Sequence, residues 1–122
     1  MLEIGNTDTR RDFLDVRDVC AAYAACIGQA AALAPGMILN LASGHARKIG
    51  DILARLQTLA GVSVETRIDP SRVRKSDLAS ARGSATLARE TLGWAPVIPW
   101  EQTLQDVLDD WRGRIRATPE ES

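Results

Sequence analysis

The sequence predicts an α/β chain in which short strands alternate with four helices. Two observations carry that reading. Apolar residues switch repeatedly between a period of two and helical spacing. Each switch falls at a cluster of Gly, Pro, Asp or Ser, the residues that end regular elements.

The elements follow in order. Residues 2–4 make a strand-like start, and Gly5-Asn6 after them has turn chemistry. Residues 12–16 alternate polar and apolar, which predicts a half-buried strand. Asp18 is placed to cap a helix carrying Val19, Tyr23, Cys26, Ile27 and Ala30 on its core face, closed by Pro35-Gly36. Residues 37–42 are nearly unbroken in apolar character, the pattern of a strand covered on both faces, and Ser43-Gly44 ends it. Ile49, Ile52, Leu53, Leu56 and Leu59 predict a second helix, with Gly61 where a C-cap glycine belongs. Residues 62–68 alternate again as a strand, ended by Asp69-Pro70-Ser71. An arginine-rich loop spans 72–82. Ser84 then caps a short helix through Leu87, Ala88 and Leu92, stopped by Gly93. A proline-bounded turn at 96–99 leads into the last helix, whose apolar face is Leu104, Val107, Leu108, Trp111 and Ile115.

Composition narrows the function classes. The 122 residues suit one domain, able to bury about two-thirds of its unfolded surface without disulfide or metal staples. A net charge of −1 argues against a dedicated nucleic-acid or polybasic membrane binder. No apolar run approaches the ~20 residues of a membrane span, and Met1-Leu2-Glu3 does not open a signal peptide. Cys20 and Cys26 lie about a third of a helical turn apart, so they read as reduced core thiols and not as a redox pair. The expected location is cytoplasmic.

Several chemistries find no residues here. None of the nine glycines stands in a dinucleotide or Walker spacing. His45 is the only histidine, and no Cys/His set has zinc spacing, so no metal site is expected. Asp109-Asp110 reads as a solvated helix face and Asp15/Asp18 as a helix cap. The arginines are more informative: 13 of them stand against two lysines. Arg10-Arg11 precedes a predicted strand, while Arg72, Arg74 and Lys75 share a loop. Brought together, two such clusters suit a diphosphate by charge and bidentate hydrogen bonding.

A resemblance sharpens this. Residues 5–19, from Gly5-Asn6 through Arg11-Asp12-Phe13 to Asp15-Val16-Arg17-Asp18-Val19, resemble the G-N-x-x-x-x-R-D-F/W-x-D-V-x-D-V signature of extended short-chain dehydrogenase/reductases (the NAD-dependent epimerase/dehydratase family). Within them the chain is most similar to the GDP-mannose 4,6-dehydratase and GDP-4-keto-6-deoxy-mannose reductase group. Residues 38–44 resemble the Y-N-V-G-S-G strand end, Arg74-Lys75-Ser76-Asp77 the R-P-x-D loop, and Leu92-Gly93-Trp94-Ala95-Pro96 the L-G-W-x-P turn. Pro99-Trp100-Glu101-Gln102-Thr103-Leu104 resembles the P-x-E-x-T-L helix start. Five blocks in family order cover nearly the whole chain.

The resemblance implies a partial Rossmann-type fold. Residues 1–117 would be the C-terminal, sugar-nucleotide-binding region, followed by a polar tail at 118–122. It implies that Arg11 and Arg74 hold the diphosphate of a GDP-sugar or another nucleotide-diphosphate sugar, and that Asn6 contacts the nucleotide. Lys75 stands where the family has proline, leaving that loop less stiff. Asn40 and Ser43 are expected to be structural, and Trp94 and Trp100 to pack the turn. The family's NAD(P) site and Tyr-x-x-x-Lys pair have no counterpart: Tyr23 is followed four residues later by Ile27. No catalytic or cofactor-binding residue is therefore expected in this chain, which reads as a fragment or a domain-only product. The parent reaction would be NAD(P)-dependent redox chemistry at sugar C4 in 6-deoxyhexose synthesis, with the reductase branch closer through Phe13 and Asp15-Val16. The competing class is a non-catalytic binding or assembly module. A homodimer is expected, because the strand at 37–42 lacks its sheet partners and the last helix offers an apolar face.

Overall fold

Asp15 decides where the first helix begins. The computed structural model describes residues 1–73 and 78–117. In it the Asp15 backbone is extended, with ψ 134°, and its Oδ1 accepts the Arg17 N–H at 2.9 Å. That is N-cap geometry, so α1 runs Val16–Gly28. The expected cap Asp18 lies inside the helix, and the alternation at 12–16 belongs to a short strand end plus a cap. The strands that do form are brief: β1 Leu2–Ile4, β2 Arg10–Asp12, β3 Ala46–Lys48 and β4 Thr66–Ile68. β1 pairs in parallel with β4, and β2 pairs antiparallel with β3. The helices after α1 are α2 Ile49–Ala60, α3 Thr86–Leu92 and α4 Trp100–Ala117.

The helix ends follow local chemistry. Gly61 and Gly93 adopt the left-handed conformation, φ 68° and 66°, and close α2 and α3 as the sequence predicts. Ser84 accepts only a long 3.4 Å bond from the Thr86 N–H, and Ala85 flanks α3 without a side-chain cap. α1 stops at Gly28, short of Pro35, and a single 3₁₀ turn follows at Ala30–Ala32. Gln29 there spends its amide on α3, donating to the Leu92 carbonyl at 3.2 Å.

The core is built on small residues. Ala22 of α1 meets Ala85, Ala88, Leu92 and Trp94, with Leu14, Ala25, Cys26, Leu33, Leu39 and Leu41 packed around them. Alanines let α1 and α3 approach closely, and this overturns the predicted core face of α1. Tyr23 and Ile27 are 62% and 79% exposed, and of the two free thiols Cys20 is exposed while Cys26 is half-buried. The predicted strand at 37–42 pairs with none of the described strands. Ile38 is 82% exposed while Leu39, Leu41 and Ala42 turn inward, so the run is covered only in part. The strand predicted over 62–68 shrinks to three residues because β1, its partner, has only three. Along α4, Leu104 is buried while Val107, Trp111 and Ile115 face outward.

Candidate functional site

β2 is the centre of the candidate site. On one edge it pairs with β3, Arg10 opposite Lys48. On the other, the Arg10 N–H donates to the Ala79 carbonyl at 2.9 Å and the Ala81 N–H donates to the Arg10 carbonyl at 3.0 Å. The end of the arginine-rich loop is thereby fastened beside the strand. Arg11 reaches the same segment: its Nη1 donates to the Leu78 carbonyl at 2.7 Å and to the Arg10 carbonyl at 2.8 Å. Arg74 and Lys75 lie outside the described residues. Arg72 turns away to Asp69, with Nε 3.2 Å from Oδ2.

Asn6 sits in the neighbouring loop. Its Oδ1 accepts the Asp8 N–H at 2.9 Å, an Asx turn that shapes residues 6–9. Gly5 lies so close to the turn at Pro70–Arg72 that a Cβ would come within 2.9 Å of the Arg72 carbonyl oxygen. Gly5 therefore meets the turn at Pro70–Arg72, while Arg10 and Arg11 meet the segment 78–81. The antiparallel ladder also separates a pair that looks like one cluster in sequence. Consecutive strand residues point to opposite faces, so Arg10 and Arg11 cannot act on the same group.

The acidic residues of the signature hold the site together. Asp12 Oδ1 accepts the Ser43 hydroxyl at 2.6 Å and the Ser43 N–H at 2.9 Å. Its Oδ2 accepts the N–H groups of Gly44 and Gly83, at 2.9 and 3.2 Å. Burial works against the Asp12 charge, but these four donors outweigh it and hold the carboxyl below its ordinary value. Asp15 is gripped by Arg17, with Nε–Oδ1 2.9 Å and Nη2–Oδ2 2.8 Å, and by the Thr103 hydroxyl of α4 at 2.8 Å. The Arg17 hydrogen bonds lead, against desolvation, in holding its carboxyl far below the usual range. Asp18 is buried and accepts the Val97 and Ile98 N–H groups at 3.1 and 3.2 Å. Each carboxylate thus ties the signature to a different distant segment.

Sequence reading missed Asp12 and Asp18 as ties, because the donors they serve lie 31 to 80 positions away. The visible signal is the i, i+3, i+6 spacing of acids in a half-apolar stretch. It also missed the aromatic corner at Trp100, where Phe13 lies 5.8 Å from the ring centroid and the Arg47 guanidinium lies 4.5 Å over it. Trp94 is buried beside the turn, its indole N–H bonded to the Asp18 carbonyl, whereas Trp100 packs on Phe13 and Arg47. The solvated reading of Asp109-Asp110 holds too, since both pair locally with Arg112 and Arg114. Among the described residues, no helix is long and apolar enough to cross a membrane.

The family model described as GDP-mannose 4,6 dehydratase matches residues 1–107. The GDP-6-deoxy-D-mannose reductase of Pseudomonas aeruginosa is 38% identical over 115 residues, covering 94% of this chain and 37% of that protein. The solved structure of RMD from Pseudomonas aeruginosa, complexed with NADPH, is 34% identical with a TM-score of 0.82, over 93% of this chain and 36% of the other. A UDP-glucose-4-epimerase from Stenotrophomonas maltophila, solved with NAD and formylated UDP-arabinopyranose, superposes with a TM-score of 0.83 over 96% of this chain and 36% of its own. At 24% identity that likeness shows the fold alone, and with the RMD structure it makes this a partial Rossmann-type region. The chain spans a little over a third of the length of these relatives. With the match running from residue 1 to residue 107, the chain belongs to the GDP-mannose 4,6 dehydratase family, among the NAD-dependent epimerases and dehydratases.

Proposed function

We propose that this chain is the substrate-binding portion of an NAD(P)-dependent nucleotide-diphosphate-sugar reductase or dehydratase, and that it takes a GDP-sugar. The observation that supports it is the placement of Arg11, fastened to Leu78 at the end of the loop that carries Arg74. In this reading Arg11 and Arg74 together would clasp the two phosphates, and Asn6 would meet the nucleotide. The reductase branch is favoured by the 38% identity to GDP-6-deoxy-D-mannose reductase.

The chain's part in such a reaction is to bind and orient. It presents no glycine fingerprint and no Tyr-x-x-x-Lys pair, so hydride and proton transfer at sugar C4 fall to residues outside this sequence. Residues 1–117 act as one binding region in this reading, located in the cytoplasm. A second reading, a binding or assembly module without catalysis, rests on the same missing motifs. Self-association goes with either: Tyr23 and Ile27 on α1, Ile38, and Trp111 and Ile115 on α4 leave large apolar side chains uncovered, and a homodimer would cover some of them.

Calorimetry with GDP and GDP-mannose tests the binding claim. A charge-assisted hydrogen bond contributes roughly 1.5–3 kcal/mol. Arg11→Gln and Arg74→Gln should therefore each weaken binding about tenfold or more, with thermal melts confirming that the variants fold. Equal affinities for wild type and both variants would make the arginines a solvated surface and remove the proposal.

A further inference from the structure

The geometry points to a second anion site, in a cleft that Arg11 does not line, that takes a phosphoryl group. The cleft, about 390 Å³ in volume, opens between the β2–β3 pair and the helices α2 and α4. Its walls carry Arg10, Arg47, Lys48 and Arg55 against Asp51 and Glu101.

The ion pairs leave a specific surplus. Arg55 is neutralised by Glu101 at 2.7 Å and Lys48 by Asp8 at 2.7 Å. Arg10 and Arg47 have no carboxylate partner among the described residues. Arg10 also sits near enough to Lys48 to oppose its charge, and only the hydrogen bond and charge of Asp8, aided by Asp51, outweigh that and desolvation. An anion between Arg10 and Lys48 would relieve this repulsion.

Arg47 supplies the independent observation. Its guanidinium is held over the Trp100 ring at 4.5 Å, and its Nε is buried with no hydrogen-bond partner among the described residues. The Nε is closed off from solvent, so the Nη groups of the same guanidinium are the ones that would meet a ligand. The aromatic face fixes the planar fork where it can meet tetrahedral oxygens in two-pronged fashion. The cleft is larger than a phosphate ion, so an esterified phosphate would fit as well as a free one.

The site stands apart from the diphosphate reading, because Arg10 and Arg47 line this cleft and Arg11 does not, its Nη1 reaching instead to the Leu78 carbonyl. The test is amide, indole and arginine Nε NMR on the full chain, titrated separately with inorganic phosphate and with glucose 1-phosphate at constant ionic strength. We expect saturable shifts of the Trp100 indole and Arg47 Nε signals. Arg10→Gln and Arg47→Met should each weaken them at least fivefold, whereas Arg11→Gln should leave them in place. Tighter saturation by one probe identifies free or esterified phosphate as the occupant. Shifts reproduced by chloride, or lost equally in Arg11→Gln, would overturn the site. So would the absence of saturation by either probe. Failure of GDP to bind would leave this readout untouched.

Discussion

The indole N–H of Trp94 donates to the backbone carbonyl of Asp18 across 2.9 Å, and the Asp18 carboxylate in turn accepts Val97 and Ile98. One residue of α1 thereby orients the whole turn that leads into α4. Asp18→Ala would strand two part-buried backbone N–H groups, at a cost of about 1–3 kcal/mol. Asp18→Asn keeps one acceptor oxygen and should cost less. Urea denaturation followed by tryptophan fluorescence measures both, and an alanine variant as stable as wild type would refute the clamp.

Gly83 is required by contact and not by backbone angle. A Cβ there would lie 2.5 Å from the Ala42 Cβ, well inside van der Waals contact. Gly83→Ala should destabilise by about 1–3 kcal/mol, the usual range for an overpacked site. Combining it with Ala42→Gly removes the clash and should return part of that loss. Chemical denaturation of the two single variants and the pair gives the answer.

Acid should undo the α1–α4 junction. Asp12 and Asp15 have carboxyls held below their ordinary values in the folded chain. A depressed folded-state pKa contributes stability that is present above the unfolded value, about 3.9, and fades as pH falls toward the folded one. Stability should therefore drop as pH falls below about 4, with Asp15 contributing to the lowest pH. Asp15→Asn should be less stable at neutral pH and show a flatter acid limb. Denaturant midpoints from pH 2 to 7 would reveal a parallel limb if this assignment is wrong.

Dinucleotide affinity should be missing from this chain taken alone. A titration of NADPH, read by its own fluorescence, is expected to show no saturable binding and no sugar-nucleotide turnover. Micromolar binding would mean that a cofactor site exists without the glycine fingerprint.

The proposed homodimer is checked by sedimentation velocity at micromolar concentration. Dimerisation through α1 predicts that Ile27→Lys yields a monomer, and dimerisation through α4 predicts the same for Trp111→Lys. A wild-type monomer that fails to bind a hydrophobic dye would remove the self-association claim.

The amino-acid sequence by itself determined the parts whose causes are local. Five apolar residues at helical spacing with Gly61 behind them specify α2, because periodicity and a left-handed cap need no distant partner. The order of the five sequence blocks likewise identified the family. Tertiary structure decided what depends on partners far along the chain. Whether residues 37–42 become a strand depends on neighbouring strands, since a strand meets its hydrogen bonds only between segments. Whether Asp12, Asp15 and Asp18 serve as acids, caps or ties depends on donors up to 88 positions away. Arg10 and Arg11 are adjacent in sequence, but only the β2–β3 pairing sends them to opposite faces, because a strand alternates its side chains where a loop would not.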